Sequence, residues 1–265
     1  MPNSNVLVDM AGPVARVTLN RPAERNAVTS DMLESLVEAA IGISADTAVR
    51  SVVVAASGDD FSVGADINDV ADAIEAPPQS LLVARRDAER GTHLMRALRE
   101  IPQPTICLLQ GVATGAGACI AAACDFRIAT STTRIGLGEV RMGMNLMWGA
   151  IPVLVELIGA SRTKQLAMSG DLIDSARAAH WGLIDEVCDA ETLDERGQAW
   201  ADKYAALPPV AVQMIKRSIN RYALALGEAV SHMDADQWLL MTQSNDFKEA
   251  VSAFQQKRKP TFKGD

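Results

Sequence analysis

Apolar and polar positions change period several times along the chain, and those changes mark the elements. VARVTL at 14–19 alternates small or apolar side chains with Arg16 and Thr18, the two-residue period of a half-buried strand. The turn-rich NRPAERNAV follows at 20–28. Thr29 or Ser30 then caps a helix with Asp31 in its first turn. Leu33, Leu36, Val37, Ala40 and Ile41 repeat at helical spacing and predict that helix's inner face. SVVVAAS (51–57) reads as a buried strand and FSVGADI (61–67) as a loop. Residues 69–80, with Pro77 and Pro78, read as a mobile surface loop, and a helix is expected from Gln79 to Arg99.

PTICLLQG (104–111) predicts a second buried strand, the small apolar residues 115–123 a closely packed helix, and DFRIA (125–129) a further strand. This alternation favours parallel pairing and an α/β fold. From about 145 the pattern turns helical. Asp174 or Ser175 caps a helix that stops at Gly182, LIDEV (183–187) is a short strand, and four helices are expected after 190, the last over 247–259. No repeat of fixed period is visible. The expected organisation is an α/β core over 1–195 and a C-terminal helical region over 196–265.

Composition narrows the function classes. A chain of 265 residues, 48% hydrophobic and 22% charged, can bury a substantial core. The opening MPNSNVLVDM has no basic n-region or long apolar stretch, and the apolar run at 116–124 is too short to span a bilayer. The expectation is a cytoplasmic protein without membrane partners. A net charge of −8 argues against a broad nucleic-acid surface, though an anionic ligand needs only a few local positive groups or backbone amides. Cys107, Cys119, Cys124 and Cys188 lack CxxC spacing and read as buried free thiols; with three scattered histidines, no metal site or cofactor is expected.

Two loops offer bare backbone to a ligand: Gly64-Ala65-Asp66 after one buried strand, and Gly115-Ala116-Gly117 after another and opening a helix. Two N–H groups from separate loops aimed at one oxygen form an oxyanion hole. Close packing of helix on strand is the alternative for either loop alone. A dinucleotide fingerprint is excluded, because Ile120 stands at the third glycine of GxGxxG.

Taken together, NRPAERNAV, FSVGADI, GVATGAGACIAAACDFRIA (111–129), GLGEVRMGM (136–144), GASRTKQLAMSGDLIDSARAAHWGLIDEV (159–187) and FKEAVSAFQQKRKPTFK (247–263) resemble, in order and spacing, the enoyl-CoA hydratase/isomerase (crotonase) family. The resemblance covers essentially the whole chain. It implies a spiral of ββα units with a C-terminal helical trimerisation region, assembled as a homotrimer or a dimer of trimers. It also implies an acyl-CoA substrate, with coenzyme A as part of that substrate rather than a cofactor. By position, Ala65 and Ala116 donate the oxyanion-hole N–H groups and Gly115 lies beside them. Asn26, Ala27, Asp66 and Ile67 fall where the family lines the CoA nucleotide, largely through backbone. Arg25 is the candidate phosphate partner. Phe254 and Lys257 match positions that reach the adenine and phosphate end of CoA, often from a neighbouring subunit; a solvated amphipathic helix face explains both equally.

Family hydratases use two glutamates, and here one position holds Glu139 while the other, twenty residues earlier, holds Cys119. An unperturbed thiol has a pKa near ~8.5 and accepts hydrogen bonds weakly. Loss of one positioned acid–base group typically removes about 10²–10⁴-fold in rate. One carboxylate suffices to shift a double bond, so the expected reaction is isomerisation of a 3-enoyl-CoA to the 2-enoyl-CoA with Glu139 as proton shuttle. Hydration using Glu139 alone, or acyl-CoA binding without catalysis, are the alternatives. Met147 and Trp148 stand where hydratases commonly have a glycine-rich segment, and are expected to make the far end of the pocket bulkier.

Overall fold

The computed structural model describes residues 5–69 and 80–265, so most of the loop expected at 69–80 lies outside the described residues. Strands β1 (Val6–Asp9), β2 (Val14–Leu19), β3 (Ser51–Ala56), β4 (Thr105–Leu109), β6 (Phe126–Thr130) and β9 (Glu186–Cys188) form one six-stranded sheet in the order β1-β2-β3-β4-β6-β9. Only β1 is antiparallel to its neighbour; from β2 onward every pairing is parallel. A second sheet contains β5 (Val112–Thr114), β7 (Arg134–Gly136) and β8 (Leu172–Asp174).

The chain winds between the sheets in repeating turns. It leaves β4 in the first sheet, adds β5 to the second, and closes with the helix Ala116–Ala123. Next it lays β6 in the first sheet and β7 in the second, and reaches the helix Ala150–Ser169. Isolated bridges Ser62–Ala113 and Val28–Ala65 continue the second layer through the two earlier turns. Parallel strands with valine- and isoleucine-rich runs are buried on both faces, and β3 and β4 accordingly lie almost wholly in the core. Ala116–Ala123 is buried at every residue, since its small side chains let it sit between the layers.

Several elements depart from the pattern-based expectation. In the helix Ser30–Ala45, capped by the Thr29 hydroxyl, the buried residues are Met32, Leu36, Ala39, Ala40 and Ile43, while Ile41 is 62% exposed. The apolar stripe has the expected period but lies further round the helix, because a second apolar set beginning at Met32 takes the core and leaves Leu33 and Val37 only partly buried. The helix expected over 79–99 is two, Leu81–Ala88 and Arg90–Glu100. The first buries no residue, and the second sets Gly91, Leu94, Met95 and Leu98 against the core. Beyond residue 190 the described residues hold five α-helices rather than four: Leu193–Ala205, Pro209–Ala223, Gly227–Ser231, Asp234–Met241 and Asn245–Gln255. The last stops before the expected 259, and Lys257 beyond it is left-handed (φ +53°).

The expected division at 195/196 falls inside the helix Leu193–Ala205, which buries Leu193, Gly197, Ala201 and Ala205 against the six-stranded sheet. Cys107, Cys119 and Cys124 are buried free thiols, whereas Cys188 is half-exposed at the end of β9, which sits at the sheet edge and pairs only with β6. Among the described residues no helix is long and apolar enough to cross a membrane.

Candidate active site

Neighbouring parallel strands place their C-terminal loops side by side, and this brings the two glycine loops together. Ser62 N–H donates to the Val112 carbonyl, and Thr114 N–H donates to the Ser62 carbonyl. Gly64 (φ +99°) approaches so closely that a Cβ there would fall 3.2 Å from the Thr114 carbonyl oxygen, 3.7 Å from Gly115 Cα and 3.8 Å from the Ala116 nitrogen. Gly115 is also left-handed, at φ +54°. Residues with a side chain adopt such backbone angles only with strain. Gly117 fits the packing alternative, since a Cβ on it would lie 2.7 Å from Ser62 Cβ.

Ala116 opens its helix, where backbone N–H groups have no intrahelical acceptor. Neither its N–H nor that of Ala65 has an acceptor among the described residues. Both alanines line a cavity of about 420 Å³ together with Asp66, Ile67, Gly115, Cys119, Glu139, Met147, Trp148 and Phe254.

Glu139 begins a short 3-10 turn, Glu139–Met142, directly after β7, and Gly143 ends the turn in a left-handed conformation. Its side chain points back at the second glycine loop: a Cβ on Gly115 would stand 3.3 Å from Glu139 Oε1. Glu139 Oε2 is buried without a hydrogen-bond partner among the described residues. Burial, only partly opposed by a hydrogen bond from its own backbone N–H, pushes the Glu139 carboxyl up to about 7. The other carboxylates on the cavity wall are engaged: Asp66 with Arg21, Asp69 with the Ser30 N–H and Asp87 with Arg90. Cys119, 2% exposed, shares the wall with Glu139. Burial pushes its thiol well above the ordinary range, and the Glu139 and Asp234 carboxylates add to the effect.

Four of the residues expected at a ligand do not line this cavity. Arg25 is exposed and ion-paired to Asp60 at 2.6 Å. Asn26 is wholly buried; its amide oxygen accepts from Arg21 N–H, and its amide nitrogen donates to the Ser57 and Asp60 carbonyls. The main-chain oxygens of Asn26 and Ala27 already accept from Ser62 Oγ and Arg21 Nη1. Lys257 stands beyond the end of its helix, away from the wall. Phe254 reaches the cavity from the same chain, with 56% of its surface exposed.

Arg21 was not singled out by the sequence, yet it bonds both Ala27 O (2.6 Å) and Asp66 Oδ2 (2.9 Å), tying the 20–28 connector to the 64–67 loop. Trp238 also enters the wall, from a helix far along the chain. The arginine lay within the quoted NRPAERNAV motif; nothing local marked the tryptophan. Among the described residues no cluster of His, Cys, Asp and Glu could hold a metal ion.

The family model described as enoyl-CoA hydratase/isomerase matches residues 9–265. The chain is 32% identical to 1,2-epoxyphenylacetyl-CoA isomerase of Escherichia coli (strain K12), covering 95% of each protein. It is 31% identical to the short-chain-enoyl-CoA hydratase of Clostridium acetobutylicum, covering 97% of this chain and 96% of that one. The crystal structure of an enoyl-CoA hydratase from Mycobacterium avium subsp. paratuberculosis K-10 superposes with a TM-score of 0.88 at 27% identity, over 99% of this chain and all of the other. With the crotonase fold and a match along nearly its whole length, the chain belongs to the enoyl-CoA hydratase/isomerase family and is an enzyme of that family.

Proposed function

We propose that the enzyme shifts the double bond of a 3-enoyl-CoA to give the conjugated 2-enoyl-CoA. The thioester oxygen accepts from the Ala65 and Ala116 N–H groups, which have no acceptor among the described residues. That polarisation acidifies C2. Glu139 takes a proton from C2, the two amides hold the dienolate oxygen, and Glu139 returns the proton at C4. The carboxylate and the oxyanion each recover their starting charge, so no water or second acid is required. The observation that carries the reading is the buried, partnerless Oε2 of Glu139, held at a pKa of about 7 beside Gly115. A base works best with a pKa near the working pH. Cys119 supports the same choice, because a buried neutral thiol leaves the cavity without the second carboxylate that hydration uses in the family.

The test is a paired assay. Gain of conjugated absorbance from 3-hexenoyl-CoA reports isomerisation, and loss of it from crotonoyl-CoA reports hydration. Wild-type protein should isomerise, and Glu139→Gln should abolish turnover while affinity for CoA esters stays nearly unchanged. Unaltered turnover in that variant would defeat the assignment. Faster hydration than isomerisation would favour a hydratase working with Glu139 alone. Tight CoA-ester binding without either reaction would favour a binder.

Assembly with further copies of the chain is part of the proposal. The helix Pro209–Ala223 buries none of its residues, and Val210, Met214, Ile215, Ile219 and Tyr222 stand 59–88% exposed along it. Contiguous apolar exposure of this kind marks an interaction surface. A homotrimer, alone or paired as a hexamer, would cover it.

A further inference from the structure

Trp148 lines two cavities. One is the 420 Å³ cavity that holds Glu139; the other, of about 620 Å³, lies between the helices Arg90–Glu100 and Pro209–Ala223. Among the described residues no other belongs to both walls. The indole is therefore a partition, and what lies behind it is space rather than packed core. Its wall mixes apolar groups (Met95, Ile101, Met214, Leu224) with charged ones (Arg96, Arg99, Glu100, Lys216, Arg217, Arg221), and Met214 also belongs to the exposed face of its helix.

The partition is held from three directions. The indole lies directly on Gly91, where a Cβ would fall 2.0–2.1 Å from ring atoms Nε1, Cδ1 and Cε2, so only glycine leaves room for it. Its backbone is left-handed (φ +65°), a conformation costly for a bulky residue and kept only where the surroundings impose it. The next residue, Gly149, donates its N–H at 2.7 Å to Asp234 Oδ2, a buried carboxylate at the start of the helix Asp234–Met241. The close seat on Gly91 and the anchored, strained backbone fix the position of the ring at the wall shared by the two cavities.

We propose that Trp148 is the end wall of the acyl cavity and limits the enzyme to short acyl chains, with the second cavity as the volume that a longer chain would need. The proposal rests on the acyl-CoA reading of the site but not on which reaction occurs there. Met142, Met144 and Met147 line the same cavity as Trp148, which suits a hydrocarbon chain.

The test uses saturated butanoyl-, octanoyl- and dodecanoyl-CoA in calorimetric titrations of the full-length protein, because these ligands bind without turnover. Wild-type protein should bind dodecanoyl-CoA at least about tenfold more weakly than butanoyl-CoA. Trp148→Ala should reverse that ratio, since each methylene newly buried adds affinity. Adding Leu224→Trp to Trp148→Ala refills the second cavity and should restore discrimination. If Trp148→Ala does not fold, Trp148→Leu opens part of the same passage and should move the ratio in the same direction. Equal binding of all chain lengths by wild-type protein, or an unchanged ratio in a folded variant, overturns the end wall. If no CoA ester binds either protein, the acyl-CoA reading and the end wall both fall; butanoyl-CoA binding with an unmoved ratio removes the wall alone.

Discussion

Glu139 and Gly115 meet on the cavity wall, with Oε1 of the carboxylate 3.3 Å from the point where a side chain on residue 115 would begin. Gly115 is at φ +54° and directly precedes the Ala116 amide. Gly115→Ala should therefore impair two groups together, by crowding the base and straining the loop that aims the N–H. A residue with a side chain held at φ +54°, ψ −123° is strained by about 1–3 kcal/mol, and a displacement of about 1 Å at reacting groups costs about 10²-fold in rate. Urea titration and kcat of the purified variant measure the two effects. A glycine serving packing alone would show the first without the second.

The displaced carboxyl of Glu139 links activity to stability. Activity should rise with pH through about 7, as the carboxylate form becomes populated. Stability should move the other way. The folded state holds this proton up to about 7, against an ordinary value of 4.5, so folding loses free energy as pH climbs through that window. The displacement amounts to about 3 kcal/mol. Glu139→Gln removes a charge that is costly to bury and should melt at a higher temperature than wild type at pH 8. The difference should shrink as pH falls toward 4.5.

Cys119→Glu restores a second carboxylate to the wall shared with Glu139. Hydration of crotonoyl-CoA should increase by about 10²–10⁴-fold, the usual contribution of a positioned acid–base group. Unchanged hydration in a folded variant would show that residue 119 does not govern the choice of reaction.

Asn26 should behave as a structural residue. Its buried amide holds Arg21 N–H, Ser57 O and Asp60 O, and each buried group left unpaired costs about 1–3 kcal/mol. Asn26→Ala should lower unfolding stability by about 1–3 kcal/mol, because its partner groups are only part-buried, while the folded fraction keeps its affinity for CoA esters. Chemical denaturation and ligand titration at low temperature separate the two.

Charging the bare face of Pro209–Ala223 should disrupt assembly. Ile215→Glu with Ile219→Glu replaces two side chains that are about 60% exposed in the single chain. Light scattering should report a trimer or hexamer for wild-type protein and a monomer for the double variant, with far-UV circular dichroism unchanged. Equal masses would remove this surface from the interface.

The legible parts of the fold were those with a strong local period or a cap. The strand at 14–19 is observed with the same bounds, and Thr29 and Asp174 cap their helices through the side-chain bonds their residue types favour. The strands β5, β7 and β8 were not legible, because three residues carry no period and become strands only through pairing in the second sheet. Ile41 shows the same limit within a helix. Two apolar stripes lay on its surface, and only packing against the sheet decided which was buried.

Residue types and their order carried the resemblance that made Glu139, Cys119, Ala65 and Ala116 candidates for one site, since those identities and spacings are covalent facts of the chain, and all four line one cavity. Tertiary structure alone decided that parallel neighbours would set Gly64 within van der Waals reach of Gly115, that Asn26 and Arg25 would be spent on internal bonds, and that Trp148 would divide two cavities. Each of these outcomes joins segments distant in sequence. Their cause is the shape of the packed interior, which no local pattern encodes.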